Sequence, residues 1–294
     1  MPGPSSTRTA RDPHGTRRQG LELVNTLRDS SASDLLRGLG AAWAAPVLGG
    51  AARRAVGRFV DDIAEMDAAV GSGGLSAAAE VLLERYAGTV TIRGTEHVPP
   101  AGPVVVVANH VGTVDVPALW RLLCVREDLR IIALDRPFLH AVPHLASRLL
   151  YVADDTHGRT GLVRSAAAHL RVGGAVLTFP AGAIEPDPAL RLPDALASLG
   201  TWSAGVELLA RLVPASAVLP VAVSGVISTR LLRHPLARWR TTPEERELAA
   251  ATLQVFQRDR SIRPVLVAGE PLRDAPSTDV LRSVMARLLR DSVH

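Results

Sequence analysis

The chain has 294 residues, enough for one large α/β domain with an appendage or for two small domains. Hydrophobic residues make up 47% of it and aromatic residues only 3%, so its core must consist mainly of Ala, Val and Leu. Its 33 strongly basic residues are all arginine, and the formal net charge is +4. Without lysine, the chain cannot hold a Walker-type P-loop, a kinase nucleotide lysine or a pyridoxal Schiff base in its usual form.

The single cysteine, Cys124, excludes an internal disulfide and a multi-cysteine zinc site within one chain, and it favours a reducing, cytoplasmic location. Residues 1–20 are rich in Pro, Gly, Ser, Thr and Arg and lack the apolar core of a secretory signal. We therefore expect this segment to be a disordered tail.

Residues 21–87 are predicted to form an N-terminal helical segment. Within it, Gly38–Ala52 is uncharged, contains Trp43 and is followed directly by Arg53 and Arg54. This stretch falls short of the roughly 20 apolar residues that a spanning helix needs. It is expected either to be a shallow interfacial membrane anchor or to form a helix packed on the flank of the main domain.

Residues 88–294 show strands and helices in alternation. Seven runs have the composition of strands: Thr89–Arg93, Val104–Val107, Leu129–Ala133, Leu149–Ala153, Ala175–Phe179, Ala217–Val223 and Pro264–Ala268. Five helical patterns lie between or after them: Val114–Val125, Thr160–Arg171, Thr201–Leu212, Pro243–Gln257 and Thr278–Arg290. This alternation predicts an α/β domain whose central sheet is mixed but largely parallel and is flanked by helices.

The run of four valines is followed by Ala108, Asn109 and His110. Reactive groups in open α/β sheets normally lie at the carboxyl ends of strands. Asp115 comes five residues after His110, near the start of the next helix, so a strand-to-helix turn can bring its carboxylate onto the imidazole. Such a carboxylate would fix the imidazole tautomer and leave the other ring nitrogen to accept a proton from a hydroxyl or amine.

Four ordered blocks between about Thr89 and Gly225 carry a family resemblance. They are Ile92–Pro99 with Gly102–Val104, Asn109–Asp115, Gly173–Gly182 and Val218–Val221. The second block resembles the Asn-His-x4-Asp motif of the lysophosphatidate (PlsC-like) acyltransferase family, and the third resembles its Phe-Pro-Glu-Gly motif. Four blocks in the family's order are far more specific than any one of them.

This resemblance implies transfer of a fatty acyl group to a lysophospholipid-type hydroxyl acceptor. The donor would be acyl-CoA or acyl carrier protein, with no further cofactor and no metal. His110 would act as the general base and Asp115 would orient it. The resemblance also implies peripheral association with the inner face of the cell membrane. The residues expected to contact substrate in these blocks are Asn109, Phe179, Pro180 and Gly182.

The sequence departs from the family pattern at the third block. Ala181 stands where the family commonly has Glu, and Ile184 stands where an Arg commonly helps to hold the acceptor phosphate. Either Arg159 or Arg164 supplies that contact, or the acceptor carries no phosphate there. Glu185 is expected either to meet a cationic or hydroxyl-rich acceptor or to be an exposed turn carboxylate.

Two alternatives to the leading interpretation stay open: the same chemistry on an amine or another non-phosphate acceptor, and a catalytically inactive lipid-binding protein of the same fold. His140 and His144 are four residues apart, but Pro143 separates them and no third ligand follows at metal-site spacing. The sequence has no Gly-x-Ser-x-Gly motif and no credible dinucleotide fingerprint. Its arginines are scattered and no nucleic-acid recognition motif is present, so no nucleic-acid partner is expected.

Overall fold

The structure is a computed structural model that describes residues 13–152 and 156–294. In this part of the chain, seven strands form a single sheet: β1 (Thr91–Arg93), β2 (Val104–Ala108), β3 (Arg130–Leu134), β4 (Leu149–Val152), β5 (Ala175–Thr178), β6 (Ala217–Ser224) and β7 (Val265–Ala268). Their order across the sheet is β1-β7-β6-β2-β5-β3-β4. Each strand lies where the sequence predicts one, to within two residues at either end.

Every neighbouring pair of strands is parallel except β6 and β7, which run antiparallel. The sheet is therefore mixed and largely parallel, which confirms the predicted fold class. Strand β2 lies between β5 and β6, and all five of its residues are buried. Its even-numbered residues contact the hydrophobic core on one face of the sheet, while Val105 and Val107 contact the core on the other face. Burial on both faces explains the uninterrupted valine run.

Helices cover both faces of this sheet. They are α1 (Pro13–Gly38), α2 (Ala45–Ala55), α3 (Gly57–Tyr86), α4 (Asp115–Leu122), α5 (Pro137–His140), α6 (Pro143–Ala146), α7 (Thr156–Arg171), α8 (Pro188–Ser198), α9 (Gly205–Leu212), α10 (Thr229–Leu232), α11 (Pro235–Arg238), α12 (Pro243–Gln257) and α13 (Thr278–Asp291). The five predicted helices are present as α4, α7, α9, α12 and α13. Helix α12 has the predicted bounds because Thr242 and Glu245 form a capping box at its start.

The first helix differs from the expectation for residues 1–20. Helix α1 begins at Pro13, inside the segment that we expected to be a disordered tail, and residues 1–12 lie outside the described residues. Proline is well suited to the first turn of a helix, because its missing N–H has no intrahelical partner there. The arginine-rich composition that indicated a tail is also compatible with helix, since arginine has a high helix propensity.

The N-terminal helices share the core of the sheet. Leu27 of α1, Ala52 of α2 and Met66 of α3 are buried in the same hydrophobic cluster as Val106 of the central strand. Helices α1 to α3 therefore pack against the layers around the sheet.

The uncharged stretch Gly38–Ala52 is divided between the end of α1, a 3-10 turn at Ala42–Ala44 and most of α2. Part of this stretch packs on the molecule, since Ala44 and Ala52 are buried. Trp43 and Val47, in contrast, are more than 80% exposed. Among the helices of the described residues, none combines the length and apolar character needed to cross a bilayer.

Candidate active site

His110 and Asp115 form a close pair beyond the carboxyl end of β2. The Nδ1 atom of His110 lies 2.8 Å from Oδ2 of Asp115, which is the first residue of α4. The Asp115 carboxylate is fully buried. Its Oδ2 also accepts the N–H groups of Val111 (2.6 Å) and Gly112 (3.0 Å), and its Oδ1 accepts the N–H of Val116 (2.7 Å). The turn thus wraps around the carboxylate and fixes the orientation of the imidazole.

This geometry determines which nitrogen of His110 is available. An ionised Asp115 accepts the Nδ1 proton, so the neutral tautomer leaves the lone pair of Nε2 free to accept another proton. Burial by itself lowers the pKa of His110. The charge of Asp115, its hydrogen bond and the charge of Glu185 outweigh that effect, and the pKa of His110 is raised above its ordinary value. The arrangement has the form of a general base with an orienting carboxylate.

Asn109 has a structural place in the fold. Its side-chain NH2 donates to the carbonyl of Val223 and its Oδ1 accepts the N–H of the same residue, both at 2.8 Å. The side chain thereby prolongs the pairing between β2 and β6, and it is buried. In the structure its amide joins two strand ends, and the expectation that Asn109 contacts substrate stays a prediction.

Residues 179–182 lie next to His110, because β5 is the direct neighbour of β2. The ring of Phe179 lies 4.6 Å from the imidazole of His110, centroid to centroid, and Pro180 is buried. Gly182 has a φ of 65° and donates its N–H to the carbonyl of Phe179, which closes a tight turn. A positive φ of this size favours glycine. Two sequence blocks about 70 residues apart therefore meet at one edge of the sheet.

Glu185 is not an exposed turn carboxylate, so that expectation was wrong, while its contact with an acceptor stays a prediction. It is 4% exposed. Its Oε2 accepts the backbone N–H of His110 at 3.0 Å, and its Oε1 accepts from Trp202 Nε1 (2.8 Å) and Ser198 Oγ (2.9 Å). Its own N–H donates to the carbonyl of His110 at 2.6 Å. Burial raises the pKa of Glu185, and these hydrogen bonds only partly oppose that rise.

Asp187 is a buried residue that sequence reasoning missed. Its carboxylate accepts the N–H groups of Gly225 (2.8 Å), Val226 (2.7 Å) and Ile227 (2.9 Å) at the end of β6. It also caps α8 by accepting the N–H of Ala189 at 2.9 Å. An Asp directly before a proline is a helix-start signal, and that signal could have identified α8.

The three residues considered for phosphate recognition, Ile184, Arg159 and Arg164, are exposed, unlike Glu185 and Asp187. Ile184 is 56% exposed and directly precedes Glu185, so it lies beside His110. Arg159 and Arg164 are exposed on α7, which comes after β4 in the chain. Strand β4 is separated from β2 by β5 and β3. A phosphate contact from either arginine stays a prediction.

The two histidines weighed as metal ligands have separate carboxylate partners. His140 Nε2 lies 2.6 Å from Asp135, and His144 Nδ1 lies 2.9 Å from Asp67. Across residues 13–152 and 156–294, no group of three or more His, Cys, Asp or Glu side chains is arranged to hold a metal ion.

Comparison with known proteins defines the class of this chain. Residues 89–224 match the family model described as Acyltransferase, so this part of the chain belongs to the acyltransferase family. This match agrees with the family resemblance drawn from the sequence blocks, and it defines residues 89–224 as an acyltransferase region. No curated protein sequence matches the chain. Among solved structures, the chain is similar to the crystal structure of the 1-acyl-sn-glycerophosphate (LPA) acyltransferase PlsC from Thermotoga maritima, at 17% identity and a TM-score of 0.44, over 95% of this chain and 97% of that one.

Proposed function

We propose that this protein transfers a fatty acyl group from a thioester donor, acyl-CoA or acyl carrier protein, to a hydroxyl group of a glycerolipid-type acceptor. His110 is the general base and Asp115 orients it. The observation that carries this proposal is the His110–Asp115 pair, at 2.8 Å, beyond the carboxyl end of the central strand and inside the acyltransferase region.

The reaction proceeds by direct attack. Nε2 of His110 accepts the proton of the acceptor hydroxyl while that oxygen attacks the thioester carbonyl carbon. The new C–O bond gives a tetrahedral oxyanion, and its collapse breaks the C–S bond. The leaving thiolate then takes the proton from the imidazolium. Asp115 stabilises the imidazolium between these steps, and no covalent enzyme intermediate is needed.

Stabilisation of the oxyanion is assigned to the turn at residues 181–184. The N–H of Gly182 is already donated to Phe179, which makes it a poor donor for the oxyanion. The next two residues along the turn, Ala183 and Ile184, are exposed, and their N–H groups have no backbone acceptor within the described parts of the chain. Backbone amides held in this way are suited to a developing negative charge.

Ile184 stands where the family commonly has an Arg that holds the acceptor phosphate. This position therefore does not favour an acceptor with a phosphate monoester, such as lysophosphatidate. An isoleucine side chain offers no charge-assisted hydrogen bond, and such bonds contribute about 1.5–3 kcal/mol each. Arg159 and Arg164 are the candidates to replace it from α7. We therefore expect an acceptor without a terminal phosphate monoester to be used at least as well as lysophosphatidate.

The protein acts at the inner face of the cell membrane as a peripheral protein. The exposed Trp43 and Val47 in the stretch Gly38–Ala52 support this location, because exposed apolar side chains beside arginines are typical of interfacial segments.

The test is an assay of the purified protein with acyl-CoAs and acyl carrier protein as donors and a panel of acceptors, with products identified by mass spectrometry. The panel contains lysophosphatidate, lysophospholipids without a phosphate monoester, and amines. His110→Ala should fold and lose turnover, since the base is removed while its backbone contacts stay. A folded His110→Ala protein with wild-type turnover would refute the mechanism.

Ile184→Arg tests the acceptor side of the proposal. Restoring a guanidinium here should increase the use of lysophosphatidate, seen as a lower KM for that acceptor. A strong wild-type preference for lysophosphatidate, lost in Arg159→Ala or Arg164→Ala, would instead place the phosphate contact on α7.

A further inference from the structure

Two exposed turns of this chain carry large apolar side chains that are not packed in the core. In the first turn, before and within α2, Trp43 is 81% exposed and Val47 is 84% exposed. In the second turn, around α11, Trp239 is 78% exposed and Leu236 is 41% exposed. The other two tryptophans of the chain, in contrast, are buried. Exposed apolar side chains grouped in this way are typical of surfaces that bind a partner.

The two turns are neighbours in space. The guanidinium of Arg240, which follows Trp239, occupies the position where a Cβ on Gly40 would lie. The side chain of Thr252, on α12, likewise occupies the position where a Cβ on Gly38 would lie. Residues 42–48 and 235–239 therefore lie near one another, and we name their exposed side chains together the Trp43–Trp239 surface.

This surface has a one-sided charge. Neither residues 35–60 nor residues 225–243 contain an Asp or a Glu, and together the two segments hold eight arginines. Several of these arginines are paired with carboxylates from elsewhere, such as Arg53 with Asp29. Arg54, Arg233 and Arg238 are exposed, and the described part of the chain gives them no ion-pair partner. Arg238 lies within the surface, directly before Trp239, and Arg54 and Arg233 lie a few residues from it along the chain.

The same surface is linked to the candidate active site through the segment that follows β6. Ile227 lies against the turn of the His110–Asp115 pair, because a Cβ on Gly112 would be 3.4 Å from its Cδ1 atom. From Ile227 the chain continues through α10 to Leu236 and Trp239. The Trp43–Trp239 surface and the turn of the His110–Asp115 pair are thus connected by the short segment between Ile227 and Leu236.

We propose that the Trp43–Trp239 surface docks the protein on an anionic lipid bilayer, and that the α11 turn is a contact point of its own beside the N-terminal turn. This deepens the proposed function, on which it rests, by naming the surface that meets the acceptor's membrane. Indole rings favour the interfacial layer of a bilayer, and arginines beside them are attracted to anionic headgroups. A second copy of the chain fits less well, because a twofold contact would bring two basic surfaces together.

The experiment is flotation of the full-length protein with vesicles of phosphatidylcholine alone and of phosphatidylcholine with 30% phosphatidylglycerol. Wild-type protein should float with the anionic vesicles and much less with the neutral ones. Trp239→Ser, Leu236→Ser and Trp43→Ser should each weaken the binding. Arg238→Ser should lower the partition coefficient about fivefold, as expected for one arginine near such a surface.

Matched control variants separate this surface from a general effect of apolar or basic side chains. Leu212→Ser removes a leucine that is 41% exposed, like Leu236, but lies at the end of α9, before β6 begins. Arg287→Ser removes an exposed arginine of α13. Both controls should bind anionic vesicles like wild type. Equal binding by Leu236→Ser, Trp239→Ser and the controls would overturn the assignment, as would wild-type protein that does not float or that forms a dimer lost on mutating Trp239.

A second measurement distinguishes the failure of this inference from the failure of the proposed function. Trp239→Ser should keep its turnover on a water-soluble short-chain acceptor and lose turnover on an acceptor embedded in vesicles. Binding without any acyl transfer would contradict the proposed function and leave the docking surface standing. Transfer that is equally fast on both acceptors in Trp239→Ser would contradict the docking surface alone.

Discussion

The carboxylate of Asp115 has both a structural role and a role in the proposed chemistry. It orients the imidazole of His110, and it accepts the N–H groups of Val111, Gly112 and Val116 that the turn into α4 would otherwise leave without partners. The spacing of four residues between His110 and Asp115 follows from this arrangement, because the intervening turn folds around one buried carboxylate. The same residue therefore contributes to both the local fold and the proposed chemistry.

Asp115→Asn should lower kcat by roughly 10²–10⁴-fold. An amide has one oxygen in place of two. Its NH2 group cannot accept the hydrogen bonds that one of the two carboxylate oxygens now accepts. It also cannot stabilise the imidazolium. The measurement is steady-state turnover, with folding checked by circular dichroism. Asp135→Asn, which alters the surface pair with His140, is the control and should keep wild-type kcat. A similar loss in both variants would count against the role of Asp115.

Glu185→Gln should move the acid limb of the kcat/KM profile to lower pH. The base must be neutral to accept a proton, so activity rises with pH through the pKa of His110. The charge of Glu185 helps to raise that pKa, and its removal lowers it. Ser198→Ala is the control, since it removes one hydrogen bond to Glu185 and keeps the charge. An acid limb that stays in place in Glu185→Gln would show that Glu185 has only a structural role.

At the scale of the elements, the candidate site is assembled from the carboxyl ends of β2, β5 and β6. The strand positions could be predicted because short apolar runs between turn signals have few other solutions in an α/β chain. The His110–Asp115 pair could also be predicted, since its contacts are local. The burial of Glu185 could not be predicted, because its partner His110 is 75 residues away and a carboxylate in a proline-rich turn is normally exposed.

Asp187 joins two of these elements, and its removal should destabilise the protein. It holds the start of α8 and the backbone turn after β6, where Gly225, Val226 and Ile227 donate to it. In Asp187→Ala these buried N–H groups lose their acceptor, and we expect the free energy of unfolding to fall by about 3 kcal/mol. Chemical denaturation measures it. Asp34→Ala removes an exposed carboxylate of α1 and should change stability by less than about 0.5 kcal/mol. Equal stability of the two variants would refute this role of Asp187.

At the scale of the whole molecule, the N-terminal helices are tied to the rest of the chain by charge as well as by the shared core. The buried Asp62 of α3 accepts from Arg258 at 2.6 and 2.8 Å, from Arg85 at 2.5 Å and from the hydroxyl of Tyr86. Arg258 caps the end of α12 in a left-handed conformation, with a φ of 50°. One carboxylate thus links α3 to a helix that lies 196 residues further along the chain.

Asp62→Asn should lower the free energy of unfolding by about 2–3 kcal/mol. Breaking a buried ion pair costs more than this when both partners are fully enclosed, but Arg85 and Arg258 are partly exposed and can be hydrated. The adjacent Asp61 is exposed, so Asp61→Asn is a matched control and should be near neutral. Because α1 to α3 share the core of the sheet, unfolding of Asp62→Asn should remain a single transition, with helix content and acyl transfer lost together. Loss of helix content in a first step, with activity retained, would show that residues 21–87 form a separate unit that is only docked on the acyltransferase region.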